Sequence, residues 1–412
     1  MSKTFCPLPF NHLYIKPDGT NSPCCRFRNW EVSEGKSRTR TTPDNIKDYN
    51  TLNDVLNKSK WLGSIREKML SNSKVPGCES CYVDEKNTGV SMRTMVLDEW
   101  KNVNIIEPVV TNIEITFGNY CNLACRTCGS SLSTSWQEDD KILSEHYPRA
   151  YVPEKLNVKK DWKPEDFKDV TSLKITGGEP LLHPDFPKFL DTVVESGVAD
   201  RMIVQIFTNA HIMPKKYILD RLAKFKRVGI WLSIDGTHEK QNYIRHLSKW
   251  EQVEQTTISW LKFQNENPAV VINFAPTITL YNILNVEELF TWFLDLRDKI
   301  LLDPLYWSNC TFNVTSWPTY IDIKNLPDKE NIRDKLKKYR DKLSQREEYD
   351  TFIKLFGDII NRLDAPSEQE QLVEFTKINK DLDKLRNQKF TETFPELFSQ
   401  IENIWNNNDG KL

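Results

Sequence analysis

Asn119-Tyr-Cys-Asn-Leu-Ala-Cys-Arg-Thr-Cys-Gly129 is the stretch around which the predicted fold is built. It places Cys121, Cys125 and Cys128 in a C-x3-C-x2-C spacing, so three thiolates can wrap a compact metal site on one loop. A structural zinc site or an iron–sulfur cluster normally takes four ligands. Since no fourth cysteine lies nearby, one coordination position is left for another molecule, which is typical of a reactive site.

The composition indicates an ordinary soluble protein rather than a nucleic-acid or membrane protein. The chain has 412 residues, enough for two or three domains, with 28% charged residues and a net charge of −2. That charge argues against a basic nucleic-acid binder. The start lacks the apolar core of a signal peptide, and no apolar run reaches membrane-spanning length. Nine cysteines in such a chain favour metal or redox use over disulfides, so we expect a cytoplasmic protein.

A second set of cysteines lies in residues 1–95, which we take as an N-terminal domain. Residues 11–16 are expected to form a strand, and Pro17-Asp-Gly19 a turn that makes a hairpin. A helix is predicted over residues 51–70, and a turn at Pro76-Gly77 leads into a C-x2-C pair. The four cysteines that can close a metal site of their own are Cys6, Cys24, Cys78 and Cys81. A zinc knuckle on these four is the alternative to an iron–sulfur cluster.

Strands alternate with helices in residues 108–320, which predicts a parallel sheet. The expected strands are residues 112–117, 172–176, 201–208, 228–235, 269–277 and one within 305–314. The expected helices are residues 131–146, 184–195, 214–224, 248–264 and 286–296. Six strand–helix units rather than eight indicate an α/β fold with a partial (β/α)6 TIM-like barrel.

One face of the predicted strands is repeatedly polar. Successive strand residues point to opposite faces, and the opposite face here is aliphatic. The polar residues that share a face within their strand are Glu114 and Thr116, Ser233 and Asp235, and Asn273 and Thr277. Because a closed barrel is normally filled with branched aliphatic side chains, we expect a wet lumen that holds a ligand. A sheet with one solvated face is less expected for parallel strands.

These motifs resemble the radical S-adenosylmethionine (SAM) enzymes. The resemblance implies that Cys121, Cys125 and Cys128 hold a [4Fe–4S] cluster whose unique iron is chelated by the amino and carboxylate groups of SAM. Gly177-Gly178-Glu179-Pro180, directly after the second strand, matches the family segment that holds the SAM amino group. The resemblance also implies SAM-binding roles for Asn209 near the cofactor, Ser233 and Asp235 at the ribose, and Arg245 at the carboxylate. Two positions depart from the family pattern, Thr127 from an aromatic residue and Ala210 from glycine.

The N-terminal cysteines resemble the auxiliary-cluster domains of the same enzymes, of the SPASM and twitch types. Cys6-x12-Gly19-x4-Cys24 followed by a C-x2-C pair is similar to the one-cluster twitch type. Here this domain precedes the barrel, whereas the commoner order places it after the barrel. The Gly-x4-Cys spacing favours Cys24 over Cys25 as the ligand. The resemblance implies a second [4Fe–4S] cluster that positions, tunes or passes electrons, and a flavodoxin or ferredoxin as reductant.

The predicted function is therefore that of a radical SAM enzyme. Such an enzyme reductively cleaves SAM to a 5′-deoxyadenosyl radical, which takes a hydrogen atom from the substrate. A peptide or protein side chain is the first expectation for the substrate, and a small sugar-like alcohol is the alternative. A non-catalytic binding protein with zinc in both cysteine sets is the competing class. The sequence singles out no catalytic residue outside these cofactor sites.

Residues 321–412 form a charged, helical C-terminal extension in this prediction. Apolar residues at helical spacing indicate a stripe that packs on the barrel or closes its open side. The residues of this stripe are Phe352, Phe356, Ile359 and Leu363. Cys310 lies outside both cysteine sets, and a buried structural thiol is its default interpretation. A hydrogen-atom donor to a substrate radical is the sharper alternative for Cys310.

Overall fold

The N-terminal region combines short strands with helices in the computed structural model. The structure describes residues 4–28, 30–33, 36–39, 44–99, 105–303, 310, 313–315, 317–345 and 350–412. The strands of the N-terminal region are β1 (His12–Ile15), β2 (Asn21–Ser22), β3 (Trp30–Ser33) and β4 (Lys36–Thr39). Its helices are α1 (Leu8–Asn11), α2 (Leu52–Lys58), α3 (Lys60–Leu70), α4 (Glu79–Thr88) and α5 (Met92–Glu99).

The predicted N-terminal hairpin is confirmed. β1 and β2 pair antiparallel, with Tyr14 opposite Ser22. Gly19 has a φ of +82° and its N–H donates to the carbonyl of Lys16 over 2.9 Å. Glycine adopts this left-handed conformation without strain, which is why the turn forms here.

The single helix predicted over residues 51–70 is wrong, because the structure divides it at Ser59. Ser59 has the extended conformation of an N-cap (φ −65°, ψ 113°), and its hydroxyl oxygen accepts a hydrogen bond from the N–H of Leu62 over 2.9 Å. The same hydroxyl donates to the carboxylate of Asp44. A serine side chain that satisfies the first N–H groups of a helix favours a new start over continuation of the preceding helix.

The middle of the chain alternates strands with helices, as predicted. Its strands are β5 (Asn112–Thr116), β6 (Ser172–Thr176), β7 (Ile203–Thr208), β8 (Arg227–Leu232), β9 (Val270–Phe274), β10 (Thr277–Ile278) and β11 (Asn313–Val314). Its helices are α6 (Gln137–Leu143), α7 (Phe186–Glu195), α8 (Lys216–Leu222), α9 (His238–Ile244), α10 (Trp250–Glu266) and α11 (Val286–Ile300).

Several boundaries in this region differ from prediction. The helix predicted over residues 131–146 is shorter, since a 3-10 turn at Thr134–Trp136 precedes α6. β8 ends at Leu232, so Ser233 and Asp235 follow the strand rather than lie in it, and α9 was not predicted. The predicted sixth strand is represented by β11, while residues 304–309 and 311–312 lie outside the described residues.

The helices bury one face, as their apolar spacing requires. In α7 the buried residues Phe186, Phe189, Leu190 and Val193 recur at positions i, i+3, i+4 and i+7. In β8 the alternation has period two, with Val228, Ile230 and Leu232 buried and the residues between them half-buried. The two periods confirm the mixed α/β fold.

The C-terminal region is helical, as predicted. It comprises α12 (Lys329–Leu343), α13 (Asp350–Leu363), α14 (Gln369–Arg386), α15 (Phe390–Thr393) and α16 (Pro395–Asn406). Phe356, Ile359 and Leu363 of the predicted stripe are buried, while the side chain of Phe352 lies outside the described residues. None of the helices in the described part of the chain has the length and apolar character needed to span a bilayer.

The chain divides into two compact units. Unit 1 comprises Met1–Tyr120, Lys155–Ile206 and Lys215–Val228, and unit 2 comprises Cys121–Glu154, Phe207–Pro214 and Gly229–Leu412. The predicted domain boundaries, which follow the chain at residues 95, 108 and 320, stay a prediction.

Unit 1 is built on a mostly parallel sheet in the order β2-β1-β5-β6-β7-β8, to which β7 and β8 contribute their first residues. Tyr14 lies opposite Glu114, Glu114 opposite Lys174, and Lys174 opposite Gln205. The N-terminal strand β1 therefore extends the sheet of the predicted barrel, which the sequence analysis did not foresee. In unit 2 the last residues of β7 and β8 are followed in the sheet by β9, and β10 pairs parallel with β11.

Candidate active site

The four predicted auxiliary cysteines lie together in unit 1. Cys6 and Cys81 are each 7% exposed, and burial raises the pKa of the Cys6 and Cys24 thiols to about 12. Burial also raises the pKa of Cys78, with further contributions from the charges of Cys24, Cys6 and Cys81. Thiols that influence each other's pKa in this way are close in space. The hairpin and the turn before α4 thus bring together four cysteines separated by up to 75 residues of chain.

Cys25 has different surroundings from Cys24. Burial raises the pKa of Cys25 to about 12, and the next largest cause is the carboxylate of Glu114. For Cys24, the next largest cause after burial is the charge of Cys6, and the charge of Cys81 also contributes, while the N–H of Arg26 lowers the pKa in part. The two adjacent thiols therefore point to different environments, and the one that faces the other three cysteines is Cys24.

A polar face accompanies these cysteines in unit 1. The ammonium of Lys174 lies 2.8 Å from the Glu114 carboxylate, and the Lys174 side chain remains 35% exposed. The hydroxyl of Tyr14 is 3.1 Å from that of Thr116, which in turn is 3.2 Å from the hydroxyl of Thr176. Glu114 and Thr116 were predicted to share a polar face, and Lys174, which lies opposite Glu114 on β6, extends that face beyond the prediction.

The Gly-Gly-Glu segment packs against the end of β5. A Cβ atom on Gly178 would lie 2.2 Å from the carbonyl oxygen of Tyr120, so only glycine fits there. The N–H of Glu179 donates to that same oxygen over 2.7 Å. Gly177 has a φ of +134°, which also favours glycine. Glu179 is 2% exposed, and its carboxylate accepts a hydrogen bond from the N–H of Leu181 over 3.2 Å.

The three-cysteine loop lies in unit 2 and is largely buried. Burial raises the pKa of Cys128 to about 12. Burial also raises the pKa of Cys125, which the nearby Arg245 guanidinium lowers in part. The guanidinium Nη1 of Arg245 is 3.8 Å from the sulfur of Cys125, and the amide nitrogen of Asn209 is 4.0 Å from the sulfur of Cys121. Two predicted SAM-binding residues therefore contact the predicted cluster cysteines directly.

Asp235 holds Arg245 in place. One carboxylate oxygen of Asp235 accepts a hydrogen bond from Nε of Arg245 over 2.9 Å, and the other accepts from the N–H of Thr277 over 2.8 Å. The Asp235 side chain is wholly buried and that of Arg245 is 9% exposed. The carboxylate charge raises the pKa of the guanidinium, although burial opposes it. Ser233 is half-buried beside this pair, and its N–H donates to the carbonyl of Thr208 over 2.9 Å.

Asn209 belongs to a series of hydrogen-bonded side chains, of which only Asn209 itself was predicted from the sequence. Its amide donates to the side-chain oxygen of Asn122 over 2.8 Å, and the amide of Asn122 is 3.1 Å from Nδ1 of His211. Asn122, next to Cys121, could have been noticed as a polar residue inside the cysteine loop. Ala210 has a φ of +57°, a conformation that favours glycine, which accounts for the glycine expected at this position.

Arg126 is the other residue that the sequence analysis did not use. It lies between Cys125 and Cys128 and is wholly buried, with its guanidinium bonded to residues of the C-terminal region. A charged residue inside the cysteine loop was the available signal. Its partners could not be identified from the sequence, because they lie 253 and 257 residues away along the chain.

The cysteines suit iron–sulfur clusters in their chemistry. All nine are free thiols in this structure. Within the described residues, no three Cys, His, Asp or Glu side chains are arranged around a single metal ion. Clusters are held by thiolates, and metal binding displaces the thiol proton even where burial has raised the pKa. The chemistry of the cysteines therefore suits clusters, while the assignment of three thiolates to one cluster and four to another stays a prediction.

Two family models match the parts of the chain that carry these cysteines. The model described as the radical SAM superfamily matches residues 115–275. The model of the SPASM family, described as an iron–sulfur cluster-binding domain, matches residues 6–82.

The chain therefore contains a radical SAM superfamily domain and an iron–sulfur cluster-binding domain of the SPASM family. These two domains imply [4Fe–4S] clusters and SAM as cofactors. This radical SAM enzyme carries its SPASM- or twitch-like domain at the N-terminal side of the radical SAM domain, as predicted. The two matches favour an enzyme with iron–sulfur clusters over the non-catalytic zinc protein.

Individual relatives of this radical SAM enzyme are distant. GTP 3′,8-cyclase 1 from Mycobacterium tuberculosis is 28% identical over 126 residues, which is 29% of this chain and 32% of that protein. The chain thus spans about a third of the length of this curated relative. Among solved structures, Streptococcus suis SuiB bound to precursor peptide SuiA is 18% identical (60% of this chain, 51% of that chain, TM-score 0.37). The anSMEcpe structure with AdoMet and the Cp18Cys peptide is 15% identical (57% and 59%, TM-score 0.38).

Proposed function

We propose that this radical SAM enzyme removes a hydrogen atom from a side chain of a peptide or protein. The observation that carries the proposal is the contact of Arg245 with Cys125 while Asp235 holds the guanidinium. A buried cation fixed beside a thiolate loop suits a site that receives an anionic cluster and the carboxylate of SAM.

Each candidate residue has a role in this proposal. Cys121, Cys125 and Cys128 hold the cluster that binds SAM, and Cys6, Cys24, Cys78 and Cys81 hold the auxiliary cluster. The residues proposed to bind SAM are Gly177, Gly178, Glu179, Asn209, Ser233, Asp235 and Arg245. Together these cofactors supply one-electron reductive cleavage of SAM and abstraction of a hydrogen atom from an unactivated carbon.

The side chains of the protein orient the cofactor and exclude water. Arg245 retains its charge at any physiological pH and provides a fixed cation for a carboxylate. Asp235 also positions that cation, since one of its oxygens accepts a hydrogen bond from Arg245 and the other accepts one from the N–H of Thr277. Asn209 can donate to a thiolate sulfur, and such hydrogen bonds tune the reduction potential of a cluster.

The polar face of unit 1 supports a polar substrate such as a peptide. Tyr14, Glu114, Thr116, Lys174 and Thr176 lie on adjacent parallel strands, and the Lys174 ammonium is partly accessible. An ammonium and a carboxylate side by side can bind the amide and charged groups of a peptide. A flavodoxin or ferredoxin is the proposed reductant, because the cluster requires a one-electron donor.

Release of 5′-deoxyadenosine tests this function. The anaerobically reconstituted enzyme would be incubated with SAM and dithionite, alone and with peptide or metabolite fractions of host extract. We expect release that a peptide fraction stimulates, and stimulation only by a metabolite fraction would favour a small-molecule substrate.

The matched variants are Cys125→Ala and Cys310→Ala. Both thiols are buried, but only Cys125 belongs to the three-cysteine loop. We expect Cys125→Ala to abolish release of 5′-deoxyadenosine and Cys310→Ala to retain it. Undiminished release by Cys125→Ala would overturn the assignment of the cluster loop.

A further inference from the structure

The guanidinium of Arg126 is bound by the C-terminal region of the chain. Nη1 donates to the side-chain oxygen of Asn379 over 2.7 Å, and Nη2 donates to the carboxylate of Asp383 over 2.6 Å. Both acceptors lie on α14. A third acceptor, Gln388, follows two residues after the end of α14 and lies 3.1 Å from Nη2. Three acceptors from one segment hold a residue that belongs to the cysteine loop.

Tyr243 closes the other side of this guanidinium. The Arg126 carbon Cζ lies 3.7 Å from the centre of the Tyr243 ring, within the range of a cation–π contact. The hydroxyl of Tyr243 donates to the same carboxylate of Asp383 over 2.6 Å. A wholly buried arginine requires such complete pairing, because an unpaired buried charge would destabilise the fold strongly.

Backbone hydrogen bonds connect the cysteine loop, which α14 holds through Arg126, to the residues on either side of Arg245. The N–H of Arg126 donates to the carbonyl of Ile244 over 2.7 Å, and the N–H of Ala124 donates to the carbonyl of His246 over 3.0 Å. These two bonds flank Arg245 on both sides. The position of the cysteine loop is therefore coupled to the residue proposed to bind the SAM carboxylate.

A second contact of α14 reaches the loop through Trp136. The guanidinium carbon of Arg386 lies 4.3 Å from the centre of the Trp136 ring, and that of Arg149 lies 4.7 Å from it. The indole N–H of Trp136 donates to the carbonyl of Cys125 over 2.7 Å. Arg149 also donates to the carbonyl of Cys128 over 3.2 Å. The backbone carbonyls of Cys125 and Cys128 are thus each held by a hydrogen bond from a side chain of this group.

We propose that α14 is a structural component of the SAM-cluster site, with Arg126, Asn379 and Asp383 as positioning residues. They set the places of Cys125 and Cys128 and, through residues 244–246, that of Arg245. The inference rests on the proposed function in one respect, namely that the molecules bound at this site are a cluster and SAM. In this proposal, the α14 part of the C-terminal region belongs to the cofactor site.

The test compares Arg126→Lys and Asp383→Asn with a matched control, Arg362→Lys. Arg362 also pairs with a carboxylate, that of Asp322, through Nε over 3.0 Å, but it lies on α13 rather than in the cysteine loop. The first readout is hydrogen–deuterium exchange of residues 121–130 in the full-length, cluster-free protein. We expect the amides of Ala124 and Arg126 to exchange at least about tenfold faster in both test variants than in the control. A gentler variant, Gln388→Ala, would serve if the first two failed to fold.

The second readout is the electron paramagnetic resonance spectrum of the reduced, reconstituted protein with and without SAM. We expect the change that SAM causes in the wild-type spectrum to be lost or weakened in Arg126→Lys and kept in Arg362→Lys. Exchange rates and spectra equal to those of the control would overturn the inference. A wild-type protein that takes up no cluster would instead count against the proposed function, while the exchange experiment would still decide the role of α14.

Discussion

Buried charges around the three-cysteine loop are compensated at the level of single residues. Arg126 pairs with Asp383, Arg149 with Asp140 and Arg245 with Asp235, each over less than 3 Å. Buried ion pairs of this kind add little net stability, because desolvation offsets most of their attraction. Their rigid geometry is the more useful property, since it fixes where the cationic groups lie relative to the cysteines.

The choice between two adjacent thiols leads to a first prediction at this scale. Cys24 lies with Cys6, Cys78 and Cys81, whereas Cys25 lies beside Glu114. We expect Cys24→Ser to reduce the iron content of the reconstituted protein from about eight to about four per chain, because one [4Fe–4S] cluster would lose a ligand. Iron and sulfide analysis after anaerobic reconstitution measures this.

Cys25→Ser is the matched control for that measurement. It removes the neighbouring thiol without touching the group of four, so its iron content should equal that of the wild type. Loss of iron in Cys25→Ser with retention in Cys24→Ser would reverse the ligand assignment.

Among the elements, the break between α2 and α3 shows how one side chain ends one helix and starts another. Residues 51–70 have an apolar pattern compatible with a single helix, and α2 and α3 both bury apolar residues such as Leu52, Leu56 and Leu62. Ser59 is 3% exposed, and its hydroxyl makes two hydrogen bonds at the same time. It accepts from the N–H of Leu62 at the start of α3 and donates to the carboxylate of Asp44. The tertiary contact with Asp44 therefore selects the break.

We predict that Ser59→Ala lowers the free energy of unfolding by about 1 kcal/mol, the usual effect of losing an N-cap side chain. Urea titration of the cluster-free protein would measure the difference. Ser64→Ala is the control, because the hydroxyl of Ser64 bonds only the nearby carbonyl of Trp61 on the exposed surface of α3. A loss of stability equal in the two variants would show that Ser59 does not act as a cap.

At the scale of the whole molecule, each compact unit contains one of the two cysteine sets. Unit 1 holds the four N-terminal cysteines and the polar face of β1, β5 and β6. Unit 2 holds the three-cysteine loop together with the whole C-terminal helical region. Cys121, Asn209 and Arg245 come from three separate segments of unit 2, so formation of the site around the three-cysteine loop depends on the folding of that unit.

This dependence predicts that SAM stabilises the reconstituted enzyme. A ligand that binds only the folded state raises the free energy of unfolding by about 2.7 kcal/mol at one hundred times its dissociation constant. Anaerobic urea unfolding with and without SAM would measure the shift. Cys125→Ser should show little or no stabilisation by SAM, and an equal shift in that variant would mean that SAM binds without the cluster.

Local features of the sequence were sufficient to predict three things. These are a compact loop of three cysteines, the Gly177–Glu179 segment after the second strand, and the alternation of strands and helices. These features depend on neighbours along the chain: a loop of eight residues places three thiols together, and periods of two and 3.6 residues define which face is buried. The alternation in β8 and the apolar stripe of α7 follow those periods.

The pairing of β1 with β5, the separation of Cys24 from Cys25 and the binding of Arg126 by α14 required the folded chain. Hydrophobic and polar patterns tell which face of an element is buried but not which distant segment covers it. A buried arginine must be paired, yet any of many acidic residues could satisfy that need from the sequence alone. Only packing in three dimensions selects Asp383, 257 residues away, because burial removes water as an alternative partner and leaves the charge no other way to be satisfied.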